Sequence, residues 1–188
     1  MVTATDLVLR VVALFDQLSI PYMLVGSYSS NYYGRPRSTK DADFVIVVTD
    51  DQVRKLRQNL GPDLHLDAQM SFETVTMTTR YLMVHPESAF KIELFLLTDD
   101  PHNQQRFQRR QKVDFEGRMV CLPTAEDVII QKLRWAKTGR RAKDLDDVHK
   151  ILLVQQQKLD FSYIRRWTDI HQTGELFEQL LARSQNNL

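Results

Sequence analysis

The stretch "LVGSYSSNYYGRPRSTKDADFVIV", residues 24–47, decides the fold, because two acidic residues directly precede an apolar segment that is typical of a buried strand. Asp41 and Asp43 stand one residue apart, directly before "FVIV". Residues i and i+2 of a strand point to the same face, so we expect the two carboxylates to lie side by side. Their repulsion favours a divalent cation between them. The alternative is a solvated strand start, where acidic residues are common.

A Gly-Ser pair precedes this strand by one short helix. Gly26 and Ser27 follow "YMLV", which has the composition of a buried strand, and "SYSSNYY" is long enough for two helical turns before Gly34 ends them. A strand-to-helix junction exposes free backbone N–H groups, which is where proteins commonly hold phosphate. The sequence therefore predicts a phosphate-binding turn beside the acidic pair.

The rest of the chain divides at Pro123. Before it, a helix ends at Pro21, "TDDQVRKLRQNL" is an amphipathic helix, "ETVTMTTRYLMVH" and "AFKIELFLL" read as strands, and "KVDFEGRMVCLP" reads as a hairpin. "TDDPHNQQRFQRR" fits a helix or a mobile excursion. After Pro123 only helix formers follow. We predict an α+β fold with a mixed β-sheet flanked by helices in residues 1–123, and a C-terminal helical region, residues 124–188, packed on it.

Composition narrows the class of protein. A chain of 188 residues with 43% hydrophobic and 26% charged residues is an ordinary globular protein. Its net charge of +1 gives no global attraction to nucleic acid or membrane, so any polyanion contact must be local. The single cysteine, Cys121, fits a reducing cytoplasm, and the N-terminus carries no basic leader. We expect a cytoplasmic protein without a membrane span.

The first motif resembles the signature of the DNA polymerase β-type nucleotidyltransferase superfamily. That signature, hydrophobic-Gly-Ser and then Arg-x-Ser/Thr-x-Asp-x-Asp-hydrophobic, is matched by Gly26, Ser27, Arg37, Thr39, Asp41 and Asp43. The resemblance implies that the Gly-Ser turn holds the phosphates of a nucleoside triphosphate and that the two aspartates bind Mg²⁺ or Mn²⁺. It also implies a third carboxylate from a later strand. Glu93 in "FKIELFLL" is the candidate for this metal-binding and catalytic position, and Asp67 is the alternative.

A second motif gives a narrower match. The segment "LPTAEDVIIQKLRWAKTGRRAKDLDDVHKIL" resembles the second signature of the abortive-infection-type nucleotidyltransferases, through Lys132, Lys143, Asp144 and Asp147. The resemblance implies nucleotide binding by these helices, with Lys132 reaching toward the triphosphate. Asp144 and Asp147 lie three apart on one helix face, within reach of Lys132 or Arg140. A surface lysine and a salt-bridged helix start are the alternative interpretation.

Two further groups of residues have weaker signals. The first is a basic cluster, for which a solvated face is favoured over steering of a polyanionic acceptor; it comprises Arg106, Arg109, Arg110 and Lys112. The second is a set of aromatic residues, which are expected in the core, with base stacking by a tyrosine as the lesser alternative; it comprises Trp135, Trp167, Tyr32 and Tyr33.

Together the motifs predict a Mg²⁺-dependent enzyme that moves a nucleoside monophosphate from a triphosphate to an acceptor. A hydroxyl on a tRNA end, a protein side chain and an antibiotic are all open as acceptors. The toxin-type resemblance implies RNA or protein rather than a drug, and it also implies a cognate antitoxin. A catalytically silent nucleotide-binding or partner-binding domain is the main alternative. A pure interaction module is a third, and it would leave the acidic pair without a purpose. The motifs contact only phosphates, so the identity of the base stays open.

Overall fold

The computed structural model describes residues 3–62, 64–67, 69–74, 77–87, 89–139 and 141–185. A mixed β-sheet is flanked by helices, and a helical region follows it, so the predicted α+β class is confirmed. The helices are α1 (Ala4–Gln17), α2 (Gly26–Tyr33), α3 (Asp50–Asn59), α4 (Pro101–Gln108), α5 (Ala125–Gly139), α6 (Ala142–Gln155), α7 (Phe161–Ile170) and α8 (Gly174–Gln185). The strands are β1 (Tyr22–Val25), β2 (Asp41–Ile46), β3 (His65–Leu66), β4 (Ser71–Glu73), β5 (Thr78–Val84), β6 (Lys91–Leu96), β7 (Gln111–Phe115) and β8 (Arg118–Leu122).

The strand order of the large sheet brings distant acidic residues together. The order is β1-β2-β6-β5-β3, with β4 paired to β5 and with β7 and β8 forming a separate hairpin. Strands β2 and β6 run parallel, and their register sets Asp43 opposite Glu93. On the other side of β2, antiparallel β1 sets Val25 opposite Asp43. The Gly-Ser turn therefore begins beside the acidic pair.

Local sequence explains where the early elements begin. Thr3 caps α1 in a capping box with Asp6, which satisfies N–H groups that the first helical turn leaves without partners. The apolar face of α1 then packs on the sheet, where the ring of Phe15 meets Phe44 edge to face at 5.3 Å between centroids. This packing fixes the rear of the sheet behind β2.

In two segments the structure shows secondary structure that the sequence left open or predicted differently. Residues 98–110, for which a helix or a mobile excursion was expected, contain α4 (Pro101–Gln108), because Asp100 accepts a hydrogen bond from the Asn103 N–H and Pro101 occupies the first turn. The strand predicted over residues 73–85 is a hairpin instead, since β4 turns back to pair antiparallel with β5 and Glu73 lies opposite Thr78. The hairpin brings Glu73 near the site described below.

The helical region packs on the sheet domain through α2. Tyr33 of α2 belongs to the apolar cluster that α5, α6, α7 and α8 form, whereas Tyr28 belongs to the cluster under the sheet. The Tyr33 hydroxyl donates to the Pro123 carbonyl at 2.8 Å, and Gln155 donates to the Tyr33 carbonyl at 2.9 Å. Helix α2 is thus held from both sides. The domain boundary at Pro123 stays a prediction.

Two members of the basic cluster, Arg106 and Arg109, do not belong to the solvated face that composition favoured, whereas Lys112 on β7 is exposed. Arg106 is buried, because it shares the inward side of α4 with His102 and Phe107. Arg109 lies 4.0 Å from the centroid of the Tyr163 ring and pairs with Asp127. Packing against the C-terminal helices therefore overrides the local polarity of the segment.

Within the described part of the chain, none of the helices combines the length and apolar character that a membrane crossing needs. The cytoplasmic location inferred from the sequence stays a prediction.

Candidate active site

The acidic pair and the Gly-Ser turn meet at one end of β2. Asp41 and Asp43 are half-buried on the same face of the strand, while Ala42 and Phe44 point into the core. Gly26 opens α2 with φ +63°, in the left-handed region that favours glycine. A Cβ atom on Gly26 would lie only 2.0 Å from Oδ2 of Asp43. Glycine therefore lets the start of α2 approach the carboxylate directly.

Glu93 completes the acidic group from the parallel strand, but its carboxylate is engaged. Oε2 of Glu93 accepts a hydrogen bond from Nη1 of Arg80 at 2.9 Å. Burial raises the pKa of Glu93, and the Arg80 guanidinium opposes that shift. Asp67, the alternative, lies exposed and accepts a hydrogen bond from the Gln69 N–H. The structure brings Glu93, and not Asp67, to the acidic pair.

These residues line a cleft of about 110 Å³ between the sheet and the start of the helical region. Its walls carry four carboxylates, three basic side chains besides Lys132, and two aromatic rings. The lining residues are Gly26, Ser27, Asp41, Asp43, Glu73, Arg80, Glu93, Phe95, Lys132, Trp135, Arg141 and Lys143. A cleft lined by both carboxylates and basic side chains suits a ligand that is anionic and accompanied by cations.

The carboxylates suit a hard divalent cation by their chemistry, because oxygen ligands are what Mg²⁺ prefers. In the described part of the chain, however, no three His, Cys, Asp or Glu side chains converge as a ready metal cluster. The Glu93 carboxylate is bound to Arg80 in an ion pair. Asp41 and Asp43 are the pair that could hold a metal as they stand, and Glu93 would join them on leaving Arg80.

Lys132 lies under the cleft as a buried cation between two acids. Its side chain is 3% exposed, and Nζ donates to Oδ1 of Asp144 at 2.9 Å and to Oδ2 of Asp147 at 2.7 Å. An ammonium group has three donors, so one remains for a ligand in the cleft. The three-residue spacing of Asp144 and Asp147 predicted that both could reach Lys132, and both contact it. Arg140, the other partner considered, lies outside the described residues.

Asp144 and Asp147, expected to bind nucleotide, instead face the cations. Both carboxylates are buried. Asp147 accepts two hydrogen bonds from Arg37, at 2.8 and 2.9 Å, and Asp144 pairs with Arg141 at 3.1 Å. Among the described residues, neither lines the cleft. Their geometry is that of positioning residues, which hold Lys132 and Arg37 in place.

Arg37 and Thr39 also hold other site residues, and among the described residues neither lines the cleft. The Arg37 guanidinium bridges the two signatures, because Nη2 donates to Oγ of Ser27 at 3.1 Å as well as to Asp147. The Thr39 hydroxyl donates to Oδ1 of Asp41 at 2.7 Å. One motif residue thus orients the serine of the Gly-Ser turn, and the other orients the first aspartate.

Several cleft residues had no signal in the sequence. Arg80, Glu73 and Phe95 come from strands whose neighbours only the tertiary structure defines. Trp135 was expected in the core, yet it lines the cleft one turn beyond Lys132 on α5. The helical spacing from Lys132 was the one clue to its position.

The environment of Asp43 predicts a pH effect on stability. Burial, and then repulsion by Asp41 and Glu93, raise the pKa of Asp43 to about 7. The pKa of an unfolded aspartate is about 3.9, so the stability that this group contributes is present below about pH 4 and lost as the pH rises through about 7. In metal-free protein we expect Asp43→Asn to raise the melting temperature relative to the wild type more at pH 8 than at pH 5. Calorimetry at both pH values checks this, and an equal shift at both would contradict it.

Because Gly26 lies so close to Asp43, we expect that adding one methyl group at Gly26 lowers transfer activity. Gly26→Ala should reduce activity about 100-fold or more, because misplacing catalytic groups by about 1 Å costs that much. It should also lower the unfolding free energy by about 1 to 2 kcal/mol through the left-handed backbone. Gly117→Ala is the matched control, since φ is +79° there and the added Cβ meets no atom within 4 Å. If both variants lose activity equally, or neither does, the close approach is not functional.

Because Lys132 is buried, we expect its replacement to lower the free energy of unfolding. Lys132→Ala should destabilise the chain by about 3 kcal/mol, because it leaves two buried carboxylates with fewer partners. Lys143→Ala, at an exposed position in the same cleft, should change stability by less than about 0.5 kcal/mol. Urea unfolding of both variants measures the difference. Equal stabilities would mean that the buried ion pairs are not formed in solution.

Solved structures with a similar fold are nucleotidyltransferases. The antibiotic-resistance factor ANT(2″)-Ia aligns with a TM-score of 0.60 at 12% identity, covering 100% of this chain and 98% of that one. A putative nucleotidyltransferase from H. pylori aligns with a TM-score of 0.52 at 15% identity, covering 98% and 96%. The lincosamide antibiotic adenylyltransferase LnuA aligns with a TM-score of 0.50 at 16% identity, covering 80% and 96%. The fold is that of a nucleotidyltransferase.

The family follows from the sequence itself. The family model described as "Nucleotidyl transferase AbiEii toxin, Type IV TA system" matches residues 12–186. The chain therefore belongs to the AbiEii nucleotidyltransferase toxin family, and the resemblance drawn from its two motifs is confirmed. No curated protein matches the chain. The assignment to the nucleotidyltransferases as an enzyme class is likewise confirmed.

Proposed function

We propose that the protein transfers a nucleoside monophosphate from a nucleoside triphosphate to a hydroxyl group of an RNA or a protein, with Mg²⁺ or Mn²⁺ as cofactor. The observation that carries the proposal is that Asp41, Asp43 and Glu93 line the same cleft as Lys132 and the start of α2, which lies directly beside Asp43. Carboxylates that can hold a metal and groups that can bind phosphate therefore line one cleft. The motifs alone had linked these residues only by resemblance.

In the proposed reaction, the acceptor hydroxyl oxygen forms a bond to the α-phosphorus, and the bond from that phosphorus to the oxygen bridging to the β-phosphorus breaks. Pyrophosphate leaves with the bonding electrons. The hydroxyl proton passes to the Glu93 carboxylate, whose raised pKa suits a general base. A divalent cation at Asp41 and Asp43 would neutralise charge on the transferred phosphate. Gly26 and Ser27 bind the outer phosphates through the N-terminus of α2.

The basic side of the cleft binds the rest of the triphosphate. The third N–H of Lys132 and the exposed ammonium of Lys143 are available to phosphate oxygens, and Arg141 lies beside them. Asp144 and Asp147 hold Lys132 in place, and Arg37 joins Asp147 to Ser27. Thr39 orients Asp41. Substitution of these positioning residues should therefore affect nucleotide affinity indirectly.

Incubation with each of four α-labelled nucleotides and Mg²⁺, together with total RNA or total protein from the native cell, tests the proposal. We expect label to move into one fraction in a metal-dependent manner. Failure of label to enter either fraction, while nucleotide still binds by calorimetry, would refute transfer and favour a silent nucleotide-binding domain. The ion pair of Glu93 with Arg80 is the observation that supports this second candidate, because it occupies the third carboxylate.

The toxin role and the antitoxin are part of the same proposal, and the family description supports them. Induced expression of the wild type in the native host without its genetic neighbours should slow growth, whereas the Asp41→Asn, Asp43→Asn double variant should not. Equal growth of the two strains would mean that toxicity does not depend on transfer activity, and it would contradict the toxin role proposed for the enzyme. A neighbouring gene product that restores growth would be the cognate antitoxin.

A further inference from the structure

Arg106 is a buried cation that the proposed mechanism does not use. Its side chain is on α4 and is only 6% exposed. In the part of the chain that the structure describes, this side chain forms neither an ion pair nor a hydrogen bond, and its buried Nε has no partner. A buried guanidinium nitrogen without a hydrogen-bond partner is costly, so it needs an explanation.

The carboxylates that act on Arg106 electrostatically are already committed to other residues. Asp127 accepts hydrogen bonds from Thr124 and Tyr163, and Asp100 is held at 3.0 Å by both Nη atoms of Arg134. Burial lowers the pKa of Arg106 to about 10, which leaves the group charged at neutral pH. The attraction of these carboxylates offsets the cost of burying this charge only in part, because burial is the larger effect on the Arg106 pKa.

Arg106 faces two small hollows beside the catalytic cleft. The first, about 10 Å³, is shared with Gly26, Ser29, Lys132 and Trp135, so it reaches the first turn of α2. The second, about 30 Å³, adjoins the cleft through Phe95 and Trp135.

The size and lining of the hollows limit what can fill them. A water molecule needs about 10 to 15 Å³, so the hollows have room for waters or for single phosphate oxygens, and not for a whole phosphate group. Three residues that line the second hollow each have a buried side-chain atom without a hydrogen-bond partner among the described residues, namely Asn103 Oδ1, Gln131 Oε1 and Trp135 Nε1. The residues around this hollow therefore have both hydrogen-bond donors and acceptors that a polar ligand or water could satisfy.

We propose that Arg106 is a further phosphate-binding residue, which contacts an oxygen of the triphosphate, directly or through one water, from behind the N-terminus of α2. The inference rests on the proposed function, because the ligand is the triphosphate of the same nucleotide. It assigns the buried charge a purpose: the helix N-terminus and Lys132 hold the phosphates from the cleft, and Arg106 adds positive charge beneath them. The unliganded fold bears the cost of the charge, and the ligand offsets it.

Inorganic tripolyphosphate with Mg²⁺ is the probe, because it lacks a nucleoside and cannot take part in transfer. Calorimetry should show binding to Arg106→Met at least ten-fold weaker than to the wild type, which is about 1.4 kcal/mol. The melting temperature of unliganded Arg106→Met should equal or exceed that of the wild type, since the variant removes an unpaired buried charge. Arg54→Met, at an exposed arginine of α3 outside the cleft, should bind as the wild type does. Binding to folded Arg106→Met within two-fold of the wild type would overturn the proposal.

A second measurement keeps the proposal testable if Arg106→Met does not fold or is less stable. The Nε–H resonance of Arg106 in the wild type can be assigned by its absence from the spectrum of Arg106→Lys. We expect this resonance to move when tripolyphosphate saturates the protein, and a resonance that stays in place overturns the proposal. The outcome is separable from that of the transfer assay: Arg106-dependent binding without label transfer would refute the enzyme function alone, and transfer with normal binding by Arg106→Met would refute the inference alone.

Discussion

Replacing Asp41 and Asp43 together by asparagine is expected to abolish nucleotidyl transfer while the chain stays folded. Asparagine keeps the shape of each side chain and removes its charge, so the cleft loses the pair that could hold a divalent cation. Groups that stabilise developing charge contribute about 10² to 10³ each to the rate, so the loss should be roughly 10³-fold or more. The melting temperature should stay equal or rise, because repulsion contributes to the raised pKa of Asp43.

The matched control is Asp50→Asn with Asp51→Asn. These two aspartates are likewise close together on the chain, but they lie exposed in the first turn of α3. Their loss should cost a few tenths of a kcal/mol through the helix dipole and leave transfer unchanged. Label transfer and thermal unfolding of both double variants provide the comparison. Wild-type turnover by the Asp41, Asp43 variant would remove the basis of the mechanism.

The second large effect is expected at Glu93. Glu93→Gln should lower the transfer rate at least 100-fold, within the range for loss of a general base. The reason is its position opposite Asp43 in the parallel register, where burial raises its pKa and keeps it a competent proton acceptor. Asp67→Asn should have little effect, because Asp67 is exposed and, among the described residues, lies outside the cleft lining.

Single-turnover assays of the two variants rank the carboxylates directly. Glu93→Gln also releases Arg80 from its ion pair, so Arg80→Met serves as the control for that contact. If Arg80→Met retains activity while Glu93→Gln loses it, the loss belongs to the carboxylate. A larger effect at Asp67 would mean that the third acid comes from another strand.

The part of the site that could be predicted from the sequence lies within one short segment, residues 24–47. Period-two alternation puts Asp41 and Asp43 on one face, and a glycine before a short polar helix marks the phosphate turn, whatever the rest of the fold does. Glu93 required the family resemblance, because its place depends on β6 lying parallel to β2 across some fifty residues of chain. Sequence periodicity does not encode such a pairing.

The remaining site residues depended on tertiary packing. Arg106 was expected to be exposed in a basic segment, but the C-terminal helices cover the face of α4 on which it lies. Asp144 and Asp147 were expected at the nucleotide, yet their burial turns them toward Lys132 and Arg37. Local polarity describes the segment, whereas the side of the helix that becomes buried is decided by elements far away in sequence.

The central claim is that Asp41, Asp43 and Glu93 together hold the divalent cation of a nucleotidyl transfer site. Crystals grown with Mn²⁺ and a non-hydrolysable nucleoside triphosphate would test it by the anomalous scattering of manganese. The account predicts a peak about 2.0 to 2.3 Å from carboxylate oxygens of both Asp41 and Asp43, with Glu93 released from Arg80 toward it. A nucleotide bound in the cleft with no manganese at these carboxylates would contradict the account.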